Sequence, residues 1–220
     1  MKKLLLIALS AFAITACGEE EQKTEQSATA EISKATETKV PTKEDFAKYV
    51  DTGVEYDVNE KGVLIFAKPK DMFDDFNDFQ GDEITILKEK PLSIRISKLL
   101  SDDPLEPYKE WNERAFMYAV YKTFTYTPVN EITLEAYPIA ENAKGKKTAL
   151  KKFTLKGTIT REKALDVLKK YTSATSFNDL VQLEEKEGSY RRVGVSGSDL
   201  WDKFYHNEKE RSAIIEDLIK

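Results

Sequence analysis

The sequence has almost none of the side chains from which metal centres and thiol chemistry are built. Its 220 residues include one cysteine, Cys17, and one histidine, His206. A disulfide needs two cysteines, and zinc sites need several cysteine, histidine or carboxylate ligands. One chain therefore holds no internal disulfide and no multi-histidine metal site, and no cofactor or metal site is predicted from cysteine or histidine.

The chain also lacks a net positive charge and long apolar segments. The chain has 34 lysines and arginines against 39 aspartates and glutamates, which gives a net charge of −5. Domains that bind nucleic acid are basic, so nucleic acid is excluded as the expected partner. The apolar stretch Leu4–Ala16 spans 13 residues. At about 1.5 Å per residue it is too short for a hydrocarbon layer of roughly 30 Å, which argues against a permanent transmembrane helix.

The first residues carry the clearest signal in the chain. Lysines at positions 2 and 3 precede the apolar stretch, and small residues end it, which is the order of a secretory signal peptide. Ile14-Thr15-Ala16-Cys17 resembles the lipobox of bacterial lipoproteins. The resemblance implies cleavage before Cys17, a diacylglycerol thioether on its sulfur and acylation of the new amine. Two or more acyl chains anchor a protein stably, whereas one binds a membrane only marginally.

Lipidation of Cys17 has consequences for the compartment and for the chemistry downstream. Gly18 follows the cysteine where inner-membrane lipoproteins of the enteric type carry Asp, so the resemblance implies the outer membrane, with the leaflet left open. Acylation also consumes the only thiol, which excludes a cysteine–histidine dyad. Removal of residues 1–16 takes away two lysines and makes the mature chain more acidic.

Three segments follow from composition. Residues 1–16 are the predicted signal peptide, residues 17–40 the lipidated cysteine with its tether, and residues 41–220 a single globular domain. The tether has no aromatic residue and an isolated Ile32, so it cannot bury enough apolar surface to fold. A flexible chain of this length spans roughly 25 Å on average. Fully extended it reaches about 75–80 Å.

Alternating apolar residues and turn residues predict the strands of the domain. A first hairpin is expected from Val54–Val58 and Val63–Phe66, and a second from Glu83–Leu87 and Leu92–Ile96. Two further strands are predicted at Ile132–Tyr137 and Phe153–Ile159, and another hairpin within residues 179–195 around Gly188.

Apolar spacings of three and four predict about four helices. The longest starts after Asp103 or, because Pro107 has no N–H, one turn later, and Pro128 ends it. Its predicted apolar face consists of Tyr108, Trp111, Ala115, Phe116, Tyr118, Ala119 and Tyr121. The others are a helix capped by Thr160 that ends at Tyr171, and the helices Asp199–Tyr205 and Glu208–Ile219. Hairpins mixed with helices favour an α+β fold with an antiparallel sheet.

Two segments have charge of one sign. The acidic segment, residues 71–83, is expected to form a short amphipathic helix with Met72, Phe76 and Phe79 inward; an acidic docking surface and a calcium site are the alternatives. The lysine segment, residues 144–156, is expected to be a solvated hairpin tip; contact with anionic lipid or glycan is its alternative. Its bases are Lys144, Lys146, Lys147, Lys151, Lys152 and Lys156.

No set of residues in the sequence indicates catalysis. Gly194–Ser198 lacks the spacing of a serine nucleophile elbow, and Ser196 or Ser198 is predicted to cap the helix that follows. His206 is expected to lie at a helix end, in contact with carbonyl groups or solvent. The sequence therefore predicts a membrane-anchored envelope lipoprotein with a non-enzymatic binding or structural domain, whose partner is a protein or envelope component. The alternative is a carboxylate-dependent hydrolase of glycan or peptide; the oligomeric state stays open.

Overall fold

The computed structural model describes residues 40–79, 81–186, 189–191 and 197–220, and they belong to one compact unit. The predicted signal peptide, Cys17 and nearly all of the tether lie outside the described residues. In the described part the helices are α1 (Lys43–Phe46), α2 (Pro69–Phe76), α3 (Tyr108–Tyr126), α4 (Arg161–Tyr171), α5 (Asp199–Tyr205) and α6 (Arg211–Ile219).

The strands are short and fall into four sheets in the described part. They are β1 (Tyr56–Val58), β2 (Leu64–Phe66), β3 (Ile84–Lys88), β4 (Leu92–Ile96), β5 (Leu99–Ser101), β6 (Glu131–Ala136), β7 (Ile139–Glu141), β8 (Lys147–Ala149), β9 (Leu155–Thr160), β10 (Glu184–Lys186) and β11 (Ser189–Arg191). The largest sheet has the order β3-β4-β6-β9, and a smaller one has the order β5-β7-β8.

The fold is α+β, as the sequence predicts, and both early hairpins form. Val58 pairs with Leu64 in the first, and Ile84 pairs with Ile96 in the second. The pairing of β10 with β11 confirms the third hairpin, and Gly188, around which it was predicted, lies outside the described residues. In β4 and β6 every second side chain is buried, so one face of the sheet covers the core.

The prediction of a purely antiparallel sheet is wrong in two pairings. β4 runs parallel to β6, and β5 runs parallel to β7. Parallel neighbours require a long crossover connection, and α3 supplies it between β4 and β6. The hairpins could be predicted from neighbouring residues. The relative direction of β4 and β6 could not, because it depends on where α3 packs between them in the chain.

α3 is the central helix of the domain and is buried on nearly all sides. It begins at Tyr108, the later of the two predicted starts, and Thr127 and Pro128 follow its last residue. The predicted single apolar face is wrong, because the sheet covers one side of the helix while α4, α5, α6 and β2 cover others. Polar side chains are buried with it, among them Asn112, Lys122 and Thr123.

The later helices confirm most of the predicted boundaries. The Thr160 hydroxyl accepts a hydrogen bond from the Lys163 backbone N–H at 3.2 Å, and the Ser198 hydroxyl accepts one from Trp201 at 2.9 Å. Ser196, the other predicted cap, lies outside the described residues. α6 starts at Arg211, three residues after the predicted Glu208, because the chain from Asn207 to Glu210 forms a turn instead.

Candidate functional site

A cleft of about 340 Å³ lies between α3, α5 and the segment that follows α2. We call it the α3–α5 cleft. α3 contributes Trp111, Arg114, Ala115 and Tyr118, whose spacings of three and four place them on one side of the helix. The other lining residues are Tyr205 from α5, Lys98 from the connection between β4 and β5, and Asp78 and Phe79, which follow α2. These residues are far apart in the sequence, so only the folded chain brings them together.

Aromatic rings form much of the cleft wall and support one another. The Tyr118 ring lies 6.0 Å from Phe79 and 6.3 Å from Tyr205, both in edge-on geometry. Behind them the Tyr205 ring stacks on buried Trp201, with centroids 4.9 Å apart and an interplanar angle of 22°. Such aromatic pairs stabilise one another by about 0.5–1.5 kcal/mol each beyond the area they bury. The rings of the wall are therefore packed against one another without a ligand.

Trp111 is the exposed aromatic of the cleft. It is 38% exposed, whereas Trp201 is fully buried. The Arg114 guanidinium lies 5.4 Å from the Trp111 ring and 5.8 Å from the Tyr205 ring, so it occupies the space between the two side chains. An indole fixed in this way offers one face to a ligand at the surface.

Each charged side chain that lines the cleft has a partner of opposite charge. Lys98 Nζ lies 3.0 Å from Glu83, whose side chain is largely buried. Arg114 Nη2 lies 2.7 Å from Glu110 and 3.8 Å from Glu208. The third, Asp78, contacts Lys122 Nζ. The cleft thus presents charged groups whose charges are compensated within the protein.

Lys122 is the most unusual ionisable group near the cleft. Its side chain is 1% exposed, and besides Asp78 it contacts the Tyr118 hydroxyl, to which Nζ donates at 2.8 Å. Nζ also lies 3.9 Å from the centre of the Phe76 ring. Burial lowers the pKa of Lys122 to about 6.

Sequence reasoning missed both Lys122 and the cleft. Lys122 stands in a run of apolar residues on α3, four positions after Tyr118, where a charged residue interrupts the buried pattern. That interruption is the only signal for it in the sequence. Burial also raises the pKa of Tyr118, so its phenol stays protonated. Because its oxygen accepts from Lys122, the Tyr118 hydrogen is left to be donated.

The acidic segment forms a helix, but its acids do not all face solvent. α2 ends at Phe76, and Asn77 follows with a left-handed φ of 52°. The segment's inward residues include Phe73, which the prediction left out, and Phe79 lies beyond the helix in the cleft wall. Asp78 and Glu83 pair with Lys122 and Lys98. The described residues hold no group of three or more carboxylate, histidine or cysteine side chains suited to a metal ion.

The lysine segment lies elsewhere and includes a hairpin, as predicted. β7 and β8 pair around a turn at Gly145, and Lys144, Lys146 and Lys147 are exposed there. Lys151 Nζ lies 3.1 Å from the Tyr137 ring centre and 3.9 Å from Glu135. These ion pairs of the acidic segment and of the lysine segment therefore have different partners and do not join the two segments.

The remaining predicted candidates play structural parts. Ser198 caps α5 as described above, and exposed His206 follows the last residue of α5 and donates its backbone N–H to Asp202 at 3.0 Å. The His206 ring meets the ring of Tyr205 edge-on at 5.1 Å, on the helix that lines the cleft.

Comparisons with models of protein families, with curated proteins and with solved structures found no match. Within the part of the chain that the structure describes, every helix is too short or too polar to cross a bilayer.

Proposed function

We propose that this protein is a lipoprotein of the bacterial envelope, anchored through acyl chains on Cys17, whose domain binds an envelope component without transforming it. The lipobox-like Ile14–Cys17 supports the anchor, and Gly18 favours the outer membrane. The α3–α5 cleft supports the binding role, because it combines an exposed tryptophan with a packed aromatic wall and ion-paired charges. Surfaces with such aromatic anchors are typical of binding sites.

The composition of the cleft favours binding over hydrolysis. A carboxylate-dependent hydrolase needs two acids on either side of the substrate bond. Among the described residues that line the cleft there is one carboxylate, Asp78, and it is engaged with Lys122. The hydrolase is therefore the weaker of the two proposals.

One experiment with two variants tests the anchor and the cleft separately. The full-length protein is expressed in a Gram-negative host, envelopes are crosslinked, and membrane and soluble fractions are compared. Cys17→Ser is expected to abolish lipid labelling and membrane retention, because the thioether cannot form. Retention of a processed Cys17→Ser protein in the membrane would contradict the anchor.

Trp111→Ala should leave lipidation intact and remove the crosslinked envelope component, since the exposed ring of the cleft is lost. Leu105→Ala is the matched control, because Leu105 is 89% exposed and does not line the cleft. A crosslinking pattern that is identical for wild type and both variants would show that the cleft is not the binding surface.

A further inference from the structure

We infer that the α3–α5 cleft binds a neutral glycan chain made of six-membered sugar rings. This inference rests on the proposed function and specifies the ligand of the same site. Three observations carry it: the exposed Trp111, the paired charges of the lining residues, and the aromatic rings of Tyr118, Tyr205 and Phe79 beside them.

The first step concerns the apolar part of the ligand. A pyranose ring has a flat face of C–H groups, and such a face packs on an indole or phenol ring. Trp111 offers an exposed indole, and the Arg114 guanidinium lies over one face of that ring at 5.4 Å, which leaves the other face for the ligand. Tyr118, Tyr205 and Phe79 hold one another through edge-on contacts, so binding orders few side chains.

The second step concerns charge. An ionic ligand gains most from a charge that the protein leaves uncompensated. Lys98 already pairs with Glu83, Arg114 with Glu110 and Glu208, and Asp78 with Lys122. An anionic or cationic ligand would have to compete with these partners and would lose its own hydration. A neutral ligand with hydroxyl groups can add hydrogen bonds to these ion-paired groups without displacing their partners.

The third step concerns hydrogen bonds. Sugar hydroxyls both donate and accept, and bonds to ionised groups are the stronger ones. The cleft provides an ammonium on Lys98, a guanidinium on Arg114 and a carboxylate on Asp78, and each of them has donors or lone pairs beyond those that its ion pair uses. Donors and an acceptor therefore stand beside an aromatic surface, which is the mixture that a sugar ring requires.

The fourth step concerns shape. The lining reaches the surface, with Trp111 at 38% and the Lys98 side chain at 32% exposure. An open cleft of about 340 Å³ admits a segment of a chain whose ends continue into solvent. A polymer of the envelope fits this geometry better than a small molecule that must be enclosed.

The test uses the complete mature protein with Cys17→Ser in place of the lipid, and three neutral probes: tetra-N-acetylchitotetraose, cellotetraose and maltotetraose. Binding is measured by calorimetry and by the tryptophan emission, in which Trp111 is the exposed reporter. At least one probe should bind saturably and shift the emission. Trp111→Ala should weaken that binding by about tenfold or more, the loss of an anchor worth at least 1.4 kcal/mol. Trp111→Phe should retain part of it, and Leu105→Ala should leave it unchanged.

The comparison ligands are trigalacturonate and a tetra-aspartate peptide. Saturable binding of these anions alone would overturn the inference, and so would the failure of all three neutral probes at millimolar concentration. Either result is distinguishable from failure of the proposed function. If the crosslinked envelope component still depends on Trp111, the cleft binds a partner of another class; if nothing depends on Trp111, the cleft itself is the wrong site.

Discussion

Two lysine-bearing regions of this molecule differ in almost every physical respect. The lysine segment is conspicuous in the sequence, and all six of its lysines are exposed. Lys122 is a single residue inside an apolar run, yet it is buried and contacts Asp78, Tyr118 and Phe76. Solvent and salt screen the charges of the lysine segment. Lys122, in contrast, loses its hydration on burial and has only a few contacts with the protein in return. Prominence in a sequence is therefore a poor guide to the energy that a charge carries.

The difference in stability effects between Lys122 and the lysine segment should be largest when the carboxylate partner of Lys122 is removed. At pH 5, below its folded-state pKa of about 6, Lys122 is an ammonium, and Asp78→Asn leaves it without its carboxylate; we expect a loss of about 3 kcal/mol in the free energy of unfolding at that pH. Urea denaturation followed by circular dichroism measures it. In a Lys122→Met background the same Asp78 change should cost less than about 0.5 kcal/mol, because no buried charge remains. Equal costs in both backgrounds would show that the two side chains are not coupled.

The second expected effect is a gain in the free energy of unfolding when Lys122 itself is replaced, and its size depends on pH. Burial lowers the pKa of Lys122 to about 6 in the folded protein. Unfolded lysine has a pKa of about 10.4. Between these values the unfolded state binds more protons, so the contribution of Lys122 to stability rises with pH and is lost as the pH falls towards 6.

Lys122→Met should therefore stabilise the protein at pH 7, by about 1–2 kcal/mol. It should also reduce the increase in stability between pH 6.5 and 9.5 that the wild type shows. Denaturation at several pH values measures both effects, with Lys144→Met as a control that replaces an exposed lysine. Parallel pH profiles for wild type and Lys122→Met would contradict the assignment of a lowered pKa to this residue.

The fold was predictable wherever its signals were local. The Thr160 cap, the Asp199–Tyr205 helix and the two early hairpins depend on neighbouring residues, and the structure bears them out. The parallel pairing of β4 with β6 was missed, because it depends on the packing of a helix between distant strands. The cleft was missed for the same reason, since Asp78, Arg114 and Tyr205 meet only after α3 has packed against α5.

In the acidic segment the helix was predicted correctly, but the contact of Asp78 with Lys122 was not. The expected amphipathic helix forms, and Asp74 is exposed on it and contacts Lys70, one turn away. Asp78 lies two residues beyond its end, after the left-handed Asn77, and so it points to α3 instead of continuing the solvated face. A helical pattern describes side-chain directions only as far as the helix extends, and the contact of Asp78 with Lys122 lies past that limit.

The smallest effect should come from the most conspicuous charges. Replacing Lys144, Lys146 and Lys147 together by Ser should change the free energy of unfolding by less than about 0.5 kcal/mol at physiological salt, because all three are exposed around the β7–β8 turn. The oligosaccharide affinity should also stay unchanged, since none of them lines the cleft. The triple variant is compared with Lys151→Ser, which removes a lysine that lies over the Tyr137 ring and near Glu135. A loss of stability in the triple variant as large as that of Asp78→Asn would mean that the lysine segment makes contacts as consequential as the buried pair, and the contrast between the two regions would fail.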